Sequence, residues 1–138
     1  SRCLEIKLIL NKKKQLSIIE SLVKKFNINL KLDLNETDLT PGQFIKFNYI
    51  FDQNKIFVGK DFLRNIGFLL NMYKKDKDPI FINMISFLTD DYYKNNKSLS
   101  SSEIVEYKRF IFENINKFFL YNINQNALLN NINNKING

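Results

Sequence analysis

The chain has 138 residues, enough for one domain built around a single core, and its 44% hydrophobic and 14% aromatic content can fill that core. Its formal charge is +7 and it contains no histidine, which removes the commonest general base and the commonest metal ligand. The single cysteine, Cys3, excludes an internal disulfide and a cysteine-rich zinc site, and suits a reducing, intracellular compartment.

Residues 4–10 alternate Leu4, Ile6, Leu8 and Leu10 with Glu5, Lys7 and Ile9, the period-2 pattern of a strand. Lys7 interrupts this apolar stretch and no small-residue cleavage site follows it, so it does not read as a signal peptide. No apolar run reaches the ~18 residues of a membrane helix, and the chain reads as soluble with no membrane partner. After the polar turn "NKKKQ", Leu16, Ile19, Leu22, Val23 and Phe26 recur at steps of three and four, one helical face. "INLKLDL" returns to alternation, with Ile28, Leu30, Leu32 and Leu34 on one side. An alternative for the first 26 residues is one interrupted helix. "NETDLTPG" then reads as a loop, with Pro41-Gly42 as a turn signal.

"FIKFNYIF" and "KIFV" are rich in aromatic and β-branched residues, and "DQN" between them is turn chemistry, so residues 44–58 read as a β-hairpin. Phe57 and Phe62 are expected in the core, Gly59 at a sharp bend, and Asp61 as the cap of the next helix. Phe62, Ile66, Leu69, Leu70 and Tyr73 form that helix's buried stripe. Pro79 starts another helix, and Ser100–Ser102 with Glu103 cap the longest, 103–121. Its core face is Ile104, Tyr107, Ile111, Ile115 and Phe118. Phe110, Phe112 and Phe119 widen the apolar stripe beyond what a solvated helix needs. The low-complexity segment 123–138 reads as a polar, frayed tail, with Leu128, Leu129 and Ile132 able to extend a helix. The expectation is therefore a single α+β domain over 1–122. Its N-terminal strands and β-hairpin pack with a C-terminal set of about three helices.

Charge is uneven along the chain. Residues 44–77 carry seven Lys/Arg against three Asp/Glu, whereas 78–138 carry six of each. A basic patch attracts phosphates at long range. The competing explanation is coding bias: 18 Lys, 21 Asn and one Ala fit an A+T-rich coding sequence, which inflates lysine without any function. Nothing points to catalysis. Asp90-Asp91 and Asp76/Asp78 have the spacing of solvated helix ends, no glycine-rich phosphate loop exists, and no serine sits in a nucleophile elbow. No catalytic residue, metal site or cofactor is assigned.

In "FIKFNYIFDQNKIFVGKDFLRNIGF" the sequence resembles the N-terminal domain of the Bro family, related to the KilA-N domain of large DNA viruses and phages. Ile56 stands at the family's aromatic position, Phe57-Val58 at the strand end, and Gly59 for its small residue. Lys60-Asp61 match, and Ile66-Gly67-Phe68 take the place of Leu-Gly-Tyr. The resemblance covers about 25 residues, within a core of about 44–77. Beyond it the chain departs, with "LLNMYKKDKDPIF" where the family has an Asn-Pro-like turn and a basic helix ending in His-Val.

The resemblance implies a non-enzymatic viral protein, in host cytoplasm or nucleus, that binds double-stranded DNA. Lys46, Lys55, Lys60, Arg64, Lys74 and Lys75 would grip the phosphate backbone from a hairpin–helix surface. Asn54 and Asn65 are placed to attempt base readout. A solvated basic face is the bland reading of the same lysines. The alternative function is a helical module that docks a protein partner, or a second copy of itself, through the aromatic-rich helix 103–121.

Overall fold

A computed structural model of the chain describes residues 12–34, 39–95 and 98–137. Among these residues it is all-helical: α1 (Lys12–Phe26), α2 (Pro41–Gln53), α3 (Phe62–Asp76), α4 (Ile80–Lys94), α5 (Ser101–Tyr121) and α6 (Gln125–Asn137). The α+β expectation is therefore wrong, since no strand forms among the described residues. The strand expected at 4–10 lies outside them. The chain divides into two compact units, Ser1–Phe57 and Val58–Gly138.

In the first unit the expected hairpin is replaced by α2. Aromatic and β-branched content favours strands only weakly and depends on context. Here Phe44, Phe47, Asn48 and Phe51 fall at i, i+3, i+4 and i+7, and all four are buried on one helical face. Thr40 and Gln43 form a reciprocal capping box, and Pro41 occupies the first turn, where its missing N–H costs nothing. Pro41-Gly42 thus opens a helix where a turn was expected. The "DQN" turn is the end of the same helix: the Ile56 N–H donates to the Phe51 carbonyl at 2.9 Å and that of Lys55 to Asp52 at 3.4 Å. Lys55 takes the left-handed conformation, φ 54°, that this C-terminal motif requires. Asp52 and Gln53, expected in the hairpin turn, are helical, and only Asn54 and Lys55 turn the chain.

The strand expected at 28–34 is also absent. A lone extended segment has no neighbouring strand to pair its backbone groups. A buried side chain serves instead: Asn48 Oδ1 accepts from the Lys31 N–H at 2.7 Å and the Leu32 N–H at 3.1 Å, while its Nδ2 donates to the Phe44 carbonyl at 2.8 Å. Leu32 is buried as a result, while Leu30, on the same side of the alternating pattern, is 45% exposed. Phe57, expected in the core, is 54% exposed, with the Lys31 ammonium 5.6 Å from its ring centroid.

In the second unit α3 packs on α4 and α6, and α5 packs on α4 and α6. The core is Ile66, Leu69 and Leu70 of α3, Met84, Ile85 and Leu88 of α4, Ile111, Ile115 and Phe118 of α5, and Leu128 and Ile132 of α6. The tail expected to fray thus contributes a helix with a buried face. Gly67 is where α3 meets it: the Gln125 Nε2 donates to the Gly67 carbonyl at 3.0 Å, and a Cβ at Gly67 would stand 3.1 Å from Leu129 Cδ1. At the start of α5 the Ser100 hydroxyl accepts from the Glu103 N–H, and the Glu103 carboxylate accepts from the Ser100 N–H. Hydrogen bonding to the carboxylate, first from the Ser100 backbone N–H and then from its hydroxyl, holds the Glu103 carboxyl below its ordinary pKa.

Candidate nucleic-acid interface

The six basic residues singled out from the sequence fall in both units. Lys46 is exposed on α2, and Lys55 is exposed in the turn that closes it. Both belong to the first unit. With α2 in place of a hairpin, the hairpin–helix surface expected to gather the six does not exist.

Lys60, Arg64, Lys74 and Lys75 belong to the second unit and lie on or just before α3, all exposed. Asp61 precedes α3 as expected, but in the left-handed conformation (φ 52°) and with no side-chain capping bond. The turn is held instead by Asn65, whose Nδ2 donates to the Lys60 carbonyl at 2.8 Å, and by the Asn65 N–H, which donates to the Asp61 carbonyl at 2.9 Å. This corrects the role given to Asn65: it is buried and its amide is spent on the backbone. Asn54 likewise donates its Nδ2 to the Ile50 carbonyl at 2.8 Å. Burial takes the Asn65 amide out of reach of bases, whereas exposed Asn54 spends only one of its two Nδ2 hydrogens in this way.

Along α3, Arg64 and Lys75 are eleven residues apart, three turns, so they share a face about 16 Å long. Exposed Asn71 lies between them. Lys74 leans to the side, its ammonium 5.8 Å from the Phe118 ring centroid of α5, and Lys77 lies 5.8 Å from that of Tyr73. Residues 58–77 carry five Lys/Arg against two Asp/Glu, and 78–138 carry six of each. All the excess positive charge of the second unit therefore lies on α3 and the turns at its two ends, Lys77 included.

Elsewhere in this unit two cations are paired, while Lys94, Arg109 and Lys117 are exposed. Lys108 of α5 pairs with Asp90 of α4. Lys135 of α6 lies 3.6 Å from Glu106 and within 5.6 Å of the Tyr107 and Phe110 ring centroids. Among the described residues, Lys60, Arg64 and Lys75 make no ion pair. Of the carboxylates noted in the sequence, Asp90 is in the ion pair with Lys108 and Asp78 Oδ1 accepts from the Ile80 N–H at the start of α4.

Sequence reasoning missed a cleft of about 330 Å³ at the leading end of α3. Asp61, Phe62 and Arg64 line it from one side, Tyr92 of α4 from another, and Ile136 and Asn137 of α6 close it. The Phe62 and Tyr92 rings stack with centroids 4.4 Å apart and planes at 19°. No spacing rule joins residues 62, 92 and 137, so only the packing of three helices brings them together.

The aromatic width of α5 is used internally. Phe119 meets Tyr73 edge-on at 4.8 Å, Phe118 is buried under Lys74, and Phe110 lies under Lys135. Leu120 and Tyr121 at the end of α5 remain 76% and 72% exposed. Among the described residues no helix is long and apolar enough to cross a membrane, and no group of three His, Cys, Asp or Glu side chains converges as for a metal.

Compared with known protein families, curated proteins and solved structures, the chain matches none. The Bro-like resemblance accordingly rests on residues 44–68 alone, and its first half is helix where that family is expected to form a hairpin.

Proposed function

We propose that the chain is a non-enzymatic DNA-binding protein whose contact surface is the α3 edge of its second unit, gripping phosphates without reading sequence. One observation carries this reading: the second unit's whole charge excess lies on α3 and the turns at its two ends, where Lys60, Arg64 and Lys75 are exposed and make no ion pair among the described residues. Lysine and arginine contacts to phosphate release condensed counterions, which yields affinity independent of base sequence. The commitment of the buried Asn65 amide to the backbone agrees with binding of that kind. Kinship with the Bro family is not part of the proposal, because the hairpin that carried it is a helix. Docking of a protein through α5 has less support, because Phe110, Phe118 and Phe119 are engaged within the unit.

The test is a salt-dependent anisotropy titration with random-sequence duplex DNA. Non-specific affinity of ~10⁻⁴ to 10⁻⁶ M, falling steeply with salt, is expected. Replacing Lys60 and Arg64 together with Gln should weaken binding and flatten the logarithmic salt slope by about one to two. Replacing Arg109 and Lys117, exposed on α5, removes the same charge and should change little. Equal losses from the two double variants would mean diffuse attraction with no site, and no binding at low salt would end the DNA reading.

A further inference from the structure

Resting on that reading, we infer that the cleft at the leading end of α3 is a subsite for one unpaired nucleotide at the end of a DNA strand. Its base would lie against the Phe62–Tyr92 pair and its phosphate at Arg64.

Size sets the first limit. At about 330 Å³ the cleft is at the lower end of the range for small-ligand pockets, room for a single nucleotide and far too little for a duplex. Chemistry sets the second. A flat ligand is favoured by rings that are partly exposed and already stacked on each other. The platform is held from behind: Tyr93 meets Tyr92 edge-on at 5.1 Å, and Tyr107 lies parallel to Tyr93 at 5.8 Å. A base therefore meets rings that need no ordering when it binds, which lowers the entropic cost of stacking.

Charge sets the orientation. Arg64 supplies a planar, always-charged donor fork suited to phosphate oxygens. The Asp61 carboxylate on the same wall repels phosphate from its own position, so the anionic end of the ligand goes to Arg64 and the neutral base to the rings. Arg64 is also the first residue of the α3 face that reaches Lys75, about 16 Å away. A strand whose backbone follows that face arrives at the cleft with its terminal nucleotide.

The experiment compares a blunt duplex with the same duplex carrying one unpaired 2-aminopurine nucleotide, a base whose emission falls when it stacks. The overhang should bind about tenfold tighter than the blunt end, the magnitude of one base–aromatic stack, with quenched emission. Tyr92→Leu should abolish that advantage and the quench while leaving blunt-duplex binding in place, and Phe62→Leu should act in the same direction. A free deoxynucleoside monophosphate that erases the advantage without displacing the blunt duplex would show that the cleft takes mononucleotides as well as strand ends. Equal affinity of blunt and overhanging duplexes, with unchanged emission, overturns the inference while DNA binding stands. Binding of neither duplex overturns both. The wild-type comparison decides the matter even if Tyr92→Leu fails to fold.

Discussion

Asn48→Ala tests how the first unit holds its irregular segment. The substitution removes the acceptor of two backbone N–H groups, those of Lys31 and Leu32, in a place where Asn48 has no solvent exposure. A buried donor left unpaired costs roughly 1–3 kcal/mol, so two cost about 2–6 kcal/mol if the segment stays in place. The segment has another way out. It can peel away and hydrate both groups, at the cost of exposing Leu32, about 1.5–3 kcal/mol for a fully buried leucine. The cheaper route sets the loss, so the unit should be destabilised by about 2–3 kcal/mol through local release of residues 28–34. Native-state hydrogen exchange reads this directly. In the wild type the Lys31 and Leu32 amides should be protected, and in Asn48→Ala that protection should fall about 30-fold or more. Asn48→Asp keeps the acceptor but sets a buried carboxylate against the Phe44 carbonyl. It should retain more of the amide protection at acid pH, where the carboxyl is neutral, than at pH 7. Wild-type amides at Lys31 and Leu32 that exchange as freely as in a peptide would refute the reasoning, as would unchanged protection in the alanine variant.

The Tyr93 hydroxyl is buried with no hydrogen-bond partner among the described residues, and burial, with Tyr92 and Tyr107 beside it, pushes its pKa up to about 12. The folded state thus holds this proton more tightly than the unfolded state, so stability should be constant below pH 10 and fall between pH 10 and 12. Tyr93→Phe should remove that part of the decline and raise stability near neutral pH by about 1 kcal/mol, as read by urea denaturation; a less stable Phe variant would show that the hydroxyl has a partner. Ile115→Asp, which puts a carboxylate where the side chain is 2% exposed, should unfold the second unit, and melting within a degree or two of wild type would place that face in solvent. Gly67→Ala should be nearly neutral, because about 1 kcal/mol of helix propensity offsets the 3.1 Å approach to Leu129 Cδ1. Gly67→Val should loosen α6 enough for proteolysis within 125–137 to accelerate, and equal resistance in both variants would mean that α6 does not depend on that approach.

The second unit was largely legible in the sequence because its signals are local. Ile66, Leu69 and Leu70, and likewise Ile111, Ile115 and Phe118, repeat at helical spacing over long stretches, and Ser100 with Glu103 announces the start of α5. The first unit misled for an equally physical reason. Phe44, Phe47 and Phe51 are strand-favouring residues set at helical spacing, and the choice between the two periods was made by Thr40–Gln43 capping at one end and a left-handed Lys55 at the other. A short alternating segment such as 28–34 cannot reveal from its own residues whether a strand will lie beside it. The Asn48 amide, sixteen residues from Leu32, supplied its hydrogen bonds instead. The basic residues could be named from sequence, but their grouping could not: chain order placed Lys46 and Lys55 beside Lys60, and the fold divides them between units. The pairing of Phe62 with Tyr92, and of both with Asn137, lies beyond any spacing rule, since each side chain is set by its own helix and their meeting depends on how α3, α4 and α6 pack. Periodicity and capping act within one helix, so the sequence alone determined most of the helices; partners and clefts come from the long-range burial of apolar faces, which only the tertiary structure decided.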